Sequence, residues 1–113
     1  MTFRNFTPHD FNLYADDGKT LLLSLPSEGQ IRVSEEVVDK GLIGGFPFVA
    51  KKYGKVTFTG YNPGDILIVS KVVLDACPNN LDLVCPDTGP DSVVRDKNGK
   101  ILGVRRFQRN AVE

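Results

Sequence analysis

His9 and Asp10 are adjacent residues whose side chains could together perform acid–base catalysis. His9 is the only histidine of the chain, and at neutral pH an imidazole is the simplest general base. One hypothesis is therefore a hydrolase of a phosphate ester or glycosidic bond, with His9 as base and Asp10 or Asp96 in support. Adjacent strand residues point to opposite faces, which weakens the pair. A loop histidine that bonds backbone carbonyls is the commoner interpretation.

Several arginines suggest a different chemistry, the binding of an anion. The planar guanidinium group matches carboxylate and phosphate oxygens. Residues 93–113 hold six basic residues against two acidic ones, whereas residues 72–92 hold four acidic residues and no basic one. The two segments either neutralise each other, which we favour, or the basic one binds an anion. The candidate ligand-binding residues are Arg32, Arg95, Arg105, Ser70 and His9.

Aromatic residues are frequent in the middle of the chain. They could form a wall that stacks a nucleobase beside the basic C-terminal hairpin. The alternative, which we favour, is that they form the hydrophobic core. The residues concerned are Phe46, Phe48, Tyr53, Phe58 and Tyr61.

No motif for a metal ion or a cofactor occurs. Cys77 and Cys85, each followed by proline, do not have zinc-site spacing with the distant His9. The loop aspartates do not match a calcium loop. Phosphate-binding glycine motifs and the nucleophile elbow are also missing. We therefore expect neither metal nor cofactor, and the leading hypothesis does not involve catalysis.

Composition indicates a single globular domain over residues 1–113. The formal net charge is zero, which argues against a nucleic-acid coat or a polybasic membrane binder. No stretch is apolar enough to cross a bilayer, and residues 1–6 lack the apolar core of a signal peptide. We therefore expect a cytoplasmic protein with two reduced thiols.

Turn residues separate many short apolar runs and predict short strands. The clearest hairpins join residues 11–15 to 20–25 and residues 93–96 to 100–104, the latter around Asn98-Gly99. Residues 66–69 predict a buried central strand. Ser70 is a candidate N-cap for a short helix near 70–77.

Other segments give weaker signals. Residues 30–34 and 55–59 predict strands, residues 35–40 fit either strand or helical turn, and residues 78–92 predict a loop. Pro47 places its strand at an edge or a bulge. The fold class is mainly β: a small β-barrel or β-sandwich of short antiparallel strands with one short helix. We expect residues 1–107 to be ordered and residues 108–113 to form a frayed tail.

The N-terminal motif resembles a known family. Asn5-Phe6-Thr7-Pro8-His9 is similar to the Asn-Leu-Thr-Pro-His opening of small proteins from tailed bacteriophages and some bacteria. The resemblance extends to about Phe107. The further matching segments are Arg32-Val33-Ser34, Ile68-Val69-Ser70, Pro86-Asp87, Val94-Arg95-Asp96, Gly99, Ile101 and Gly103.

This resemblance implies a phage-like origin and the cytoplasm of the infected bacterium. It assigns no catalytic residue, because the family carries no established activity. In that setting we expect a binding protein that holds an anionic, nucleotide-like molecule or a host protein, and that counters host defence. The hydrolase and a virion structural or assembly protein are the alternatives. A homo-oligomer is compatible with each of them.

Overall fold

Short strands dominate the structure, a computed structural model that describes residues 2–54, 56–58 and 60–111. In chain order the elements are β1 (Phe3–Asn5), β2 (Phe11–Tyr14), β3 (Leu21–Leu25), β4 (Glu35–Ile43), β5 (Phe46–Tyr53), β6 (Ile66–Ile68), α1 (Lys71–Ala76), β7 (Leu83–Pro86), β8 (Val93–Arg95), β9 (Ile101–Val104) and β10 (Phe107–Gln108).

The strands form two four-stranded sheets and a separate hairpin. The first sheet has the order β1-β6-β7-β10, and the second has the order β3-β2-β9-β8. β6 is parallel to both β1 and β7, whereas β10 is antiparallel to β7. In the second sheet β2 and β9 are parallel and join two antiparallel hairpins. Among the described strands, β4 and β5 pair only with each other.

Side chains on the two faces of the first sheet enter two clusters. Leu67 and Leu83 pack with Val73 and Leu74 of α1 on one face. Ile68 and Val84 point the other way and pack with residues of the second sheet, among them Phe11 and Val104. Successive residues of a strand point to opposite faces of its sheet. The first sheet therefore lies between α1 on one face and the second sheet on the other, which makes three layers.

Phe107 connects the two sheets at one end. Its ring stacks on Phe3 of β1, with centroids 5.2 Å apart, and on Phe11 of β2, with centroids 5.1 Å apart. Stacked aromatic pairs at this separation add to the free energy gained by burial. The C-terminal strand is therefore part of the core rather than an appendage.

The prediction of a mainly β fold with one short helix is confirmed, and α1 begins directly after Ser70 as expected. The Ser70 hydroxyl, however, makes no capping hydrogen bond. The prediction of antiparallel strands throughout is wrong for β1–β6, β6–β7 and β2–β9, which are parallel. The described strands close no barrel. Among residues 2–54, 56–58 and 60–111, no helix has the length and apolar character needed to cross a membrane.

Several segment predictions need correction. Residues 83–86 form a buried strand, whereas the sequence predicted a loop. Residues 30–34 and 56–58 are not strand, and Lys55 and Thr59 lie outside the described residues. In the predicted tail, Gln108 pairs with Cys85, and the side chain of Asn110 donates a hydrogen bond to the carbonyl oxygen of Leu74.

The molecule is elongated. Its radius of gyration is 16.9 Å and its principal extents are 53 × 38 × 30 Å, whereas a compact chain of this length has a radius of gyration of about 13 Å. The β4–β5 hairpin accounts for the difference, because its residues are almost all exposed on both faces. We call residues 35–53 the arm and the two four-stranded sheets with α1 the body.

Candidate functional site

His9 lies at a cleft of about 340 Å³ beside the paired strands β2 and β9. Asp10 lines the same cleft, but Asp96 does not. The backbone N–H groups of Asn98 and Lys100 instead donate to the Asp96 carboxylate, which shapes the β8–β9 turn. Of the three residues of the hydrolase hypothesis, the structure therefore brings only His9 and Asp10 together.

The loop that carries His9 is held by Asn5, whose side chain is almost fully buried (1% exposed). The Asn5 amide nitrogen donates to the carbonyl oxygens of His9 and Leu25, at 2.8 and 3.0 Å. Its amide oxygen accepts from the Thr7 backbone N–H and hydroxyl. All the hydrogen-bonding capacity of a buried amide is thus used. The Asn5–Asp10 motif has a structural role that sequence reasoning did not assign.

Arg95 and Arg105 lie apart on the β8–β9 hairpin. The Arg105 backbone N–H donates to the Ser92 carbonyl oxygen, so Arg105 lies opposite Ser92. Arg95 is three residues further along this strand, which separates the two arginines by roughly 10 Å. The Arg105 guanidinium donates to the Val93 carbonyl oxygen, and that of Arg95 donates to the Gly99 carbonyl oxygen. Each guanidinium group thus bonds a backbone carbonyl oxygen of its own hairpin, and the two do not converge on one anion.

The favoured neutralisation of the two charged segments is seen in one ion pair. The Arg106 guanidinium contacts the Asp87 carboxylate at 2.9 Å. Arg4 contacts Glu28 at 2.7 Å in the N-terminal half, and this hydrogen bond lowers the pKa of the Glu28 carboxyl. These basic side chains are thus paired within the chain.

Of the candidate ligand-binding residues, the structure brings Arg32 and Ser70 together. Both line a cavity of about 300 Å³ beside α1. Arg32 is exposed, and within the described part of the chain its guanidinium forms no ion pair or hydrogen bond. This cavity is where an anion would meet an uncommitted arginine.

The cysteines are free thiols, with Cys85 buried and Cys77 half-buried. Burial raises the pKa of both thiols, so neither is an activated nucleophile. Across residues 2–54, 56–58 and 60–111, no group of three or more histidine, cysteine, aspartate or glutamate side chains lies close enough to hold a metal ion.

The arm concentrates exposed apolar side chains. It carries seven exposed large apolar side chains, whereas a soluble monomer seldom presents apolar patches of this extent without a binding role. With their exposed fractions they are Val37 59%, Leu42 71%, Ile43 57%, Phe46 70%, Phe48 45%, Val49 62% and Tyr53 42%.

The register distributes these side chains over both faces. Opposite residues of an antiparallel pair share a face, and Ile43 pairs with Phe46 while Leu42 pairs with Pro47. One face therefore presents Val38, Ile43, Phe46, Phe48 and Ala50. The other presents Val37, Leu42, Pro47, Val49 and Tyr53. The body could cover only one face of the arm. A hairpin that is apolar on both faces therefore keeps at least one apolar face in water.

The edges of the arm are poorly suited to pairing with a further strand. Gly44 and Gly45, with φ of 60° and 86°, form a two-residue turn, so Ile43 and Phe46 make the hydrogen-bonded pair beside it. The nitrogen of Pro47 at the next pair then faces outward and has no hydrogen to donate. An extra residue between Asp39 and Leu42 interrupts the ladder of β4. The arm is therefore built to contact a partner through its faces.

Sequence reasoning assigned the aromatic residues of this region to the core. This assignment is correct for Phe58 and Tyr61, which pack against the cluster beneath α1. It is wrong for the three aromatic residues of the arm, which are exposed: Phe46, Phe48 and Tyr53. The signal that could have shown the arm is the uncharged run from Gly41 to Ala50 around Gly44-Gly45. It is a hairpin signature whose strands lack the polar alternation of a surface strand.

Comparisons with protein-family models, with curated proteins and with solved structures find no match for this chain.

Proposed function

We propose that this chain is a non-catalytic binding protein and that its arm is the surface that binds another protein. The observation that carries the proposal is the set of seven exposed apolar side chains on both faces of a hairpin that pairs with no other described strand. Association removes such surface from water, and apolar and aromatic side chains dominate the centres of protein interfaces.

The charge distribution of the arm supports this role. The tip from Gly41 to Ala50 is uncharged, and the charges of the arm lie towards its base. There Lys51 contacts Glu35 at 3.8 Å. An apolar centre with a charged periphery is the usual anatomy of a protein interface. In the phage setting implied by the N-terminal motif, the function would be to bind a host protein or to assemble with other phage components.

A photocrosslinking experiment in bacterial cells tests the proposal. Benzoylphenylalanine is placed at position 46 at the arm tip, and in a control chain it replaces the exposed Lys97 in the β8–β9 turn. We expect protein adducts on irradiation at position 46 and not at position 97. If position 46 gives no protein adduct, the arm is not a protein-binding surface and the proposal fails.

The cavity shared by Arg32 and Ser70 favours a second candidate function, the binding of a small nucleotide-like anion. The support is the uncommitted guanidinium at a cavity of about 300 Å³. Adenosine diphosphate serves as the probe in a calorimetric titration of wild type, Arg32→Ala and Arg95→Ala. Binding lost only in Arg32→Ala supports this candidate, and no binding by wild type ends it.

A further inference from the structure

We propose that the body binds a small apolar carboxylate in a cavity of about 280 Å³. The cavity lies on the inner face of the first sheet, which is the face that packs on the second sheet. The hydrocarbon part of the ligand occupies the apolar lining, and its carboxylate contacts Arg109 at the rim. The site includes no residue of the arm.

The apolar lining of the cavity comes from one face of the first sheet. Val84 belongs to the cluster between the two sheets, and Phe3, Ile66 and Phe107 pack against that cluster. Phe3 of β1 pairs with Ile66 of β6, and paired residues of neighbouring strands point to the same face. All four side chains line the cavity. The sheet therefore supplies a preformed apolar wall.

The second sheet covers only part of this wall. Val84 is 6% exposed, whereas Phe3, Ile66 and Phe107 are half-buried. Phe3 and Phe107 belong to strands at opposite edges of the first sheet. Their rings nevertheless stack, with centroids 5.2 Å apart and 9° between the ring planes. Apolar side chains that remain accessible in a preformed concavity are the usual lining of a small-molecule site.

The size and polarity of the cavity restrict the class of ligand. Its volume of about 280 Å³ lies near the lower end of the range for small-molecule sites, which is roughly 300–1,000 Å³. The lining is mainly apolar, so the enclosed part of the ligand is hydrocarbon, whose burial removes apolar surface from water. The ligand is therefore a compact molecule with a short chain or a single ring.

Arg109 determines the charge of the ligand. Among the described residues, it is the charged member of the lining, and Gln108 is the other polar one. The Arg109 guanidinium donates a hydrogen bond to the carbonyl oxygen of Leu81, and within the described part of the chain it contacts no carboxylate. A guanidinium has five N–H groups, so others remain for a ligand. Its planar fork matches the two oxygens of a carboxylate.

NMR titration of the purified full-length chain tests the proposal. Octanoate is the probe, because it joins a short hydrocarbon chain to one carboxylate, and 1-octanol is the matched uncharged ligand. The methyl groups of isoleucine and valine are labelled with ¹³C, so that the same shifts give the affinity and the location of binding.

Two variants separate the charge at the rim from charge elsewhere. Arg109→Gln removes the cation at the cavity. Arg95→Gln is the matched control, because Arg95 is also exposed and does not line the cavity. Circular dichroism confirms that each variant is folded.

We expect octanoate to shift the methyl signals of Ile66 and Val84 in wild type and in Arg95→Gln, with similar dissociation constants. Arg109→Gln should weaken octanoate binding about tenfold, which is the effect of losing one hydrogen bond to a charged group. The weaker binding of 1-octanol should be the same in all three proteins.

Several results would overturn the proposal. They are unshifted signals of Ile66 and Val84, shifts confined to Ile43 at the arm tip, and equal octanoate affinity of Arg109→Gln and wild type. Binding of 1-octanol as tight as that of octanoate would also overturn it, because the cavity would then not recognise a carboxylate. Crosslinking at position 46 is a separate measurement, so the function proposed for the arm stands or fails independently.

Discussion

The side-chain amide of Asn5 and the carbonyl oxygen of His9 are joined by a hydrogen bond of 2.8 Å, which closes the loop between β1 and β2. The same amide group also reaches Leu25 at the end of β3. One buried side chain therefore connects the edge of the first sheet to the second.

Substitution of this residue should destabilise the body. Asn5→Ala removes the amide donor to the carbonyl oxygens of His9 and Leu25 and the acceptor of the Thr7 backbone N–H, and each buried polar group left without a partner costs about 1–3 kcal/mol. We expect the free energy of unfolding in urea to fall by about 2–4 kcal/mol. Asn79→Ala, at an exposed loop residue, is the control and should change it by less than about 0.5 kcal/mol. An Asn5→Ala protein as stable as wild type would contradict the role of Asn5.

The two arginines of the β8–β9 hairpin should differ in their effect on stability. Arg105 is half-buried, bonds Val93 and packs beneath Gly18, where an added Cβ would lie 2.4 Å from the Arg105 guanidinium. Arg105→Ala should therefore lower the free energy of unfolding by about 1–2 kcal/mol through lost packing and a lost hydrogen bond. Arg95→Ala, at an exposed residue, should change it by less than about 0.5 kcal/mol. Equal losses in chemical denaturation would refute this distinction.

Asp17 should remain ionised in acid. Hydrogen bonds from the Thr20 hydroxyl and from the backbone N–H groups of Thr20 and Lys19 lower the pKa of its carboxyl from 3.8 to about 2. Because the folded-state pKa is lowered, this carboxylate contributes stability that is complete above about pH 4 and is lost as the pH falls towards 2. Carbon-detected NMR titration should place its midpoint near pH 2, and Thr20→Val should move it upward. A midpoint near 4 in wild type would show that these bonds do not form in solution.

The two thiols should react at different rates. Cys85 is 2% exposed and Cys77 is half-buried, and burial raises the pKa of both. With iodoacetamide at pH 7.5, Cys77 should be alkylated slowly and Cys85 only after addition of urea. Peptide mass spectrometry gives the two rates separately. Alkylation of Cys85 in the native protein at the rate of Cys77 would mean that β7 opens locally.

Shortening the arm should leave the body intact. When residues 37–51 are replaced by Gly-Gly, the paired residues Glu36 and Lys52 are joined by a short turn and no core residue is removed. We expect the free energy of unfolding to change by less than about 1 kcal/mol, because loop length has a small effect on stability. Thermal unfolding of the shortened chain and of the wild-type chain measures this difference in stability. A loss of several kcal/mol would show that the arm supports the body.

The hairpins could be predicted because their signals are local. Asp16-Asp17-Gly18 and Asn98-Gly99 define turns between short alternating runs, and both hairpins form with the expected partners. β7 was missed because Pro78, Asn79 and Asn80 precede it and Pro86 ends it, all of which are turn residues. Its place between β6 and β10 depends on partners distant in sequence, which local composition does not encode.

The candidate site was less predictable than the fold. Arg95 and Arg105 share a hairpin, but the sequence does not show that their guanidinium groups bond backbone carbonyls of that hairpin. Phe46 and Phe48 have the composition of a buried strand, and only the tertiary structure shows that the body does not cover them. An apolar strand buried by its own chain and one buried by a partner have the same composition.

The parallel pairing of β2 with β9 determines when the body can fold. Leu13 pairs with Val104, so the second sheet cannot be completed until residue 104 has left the ribosome. Contacts between residues so distant in sequence form slowly, whereas a local hairpin closes in about 1–10 μs. The arm pairs residues that are close in sequence, whereas the body needs β9 and β10. The apolar residues of the arm consequently leave the ribosome before the body is complete.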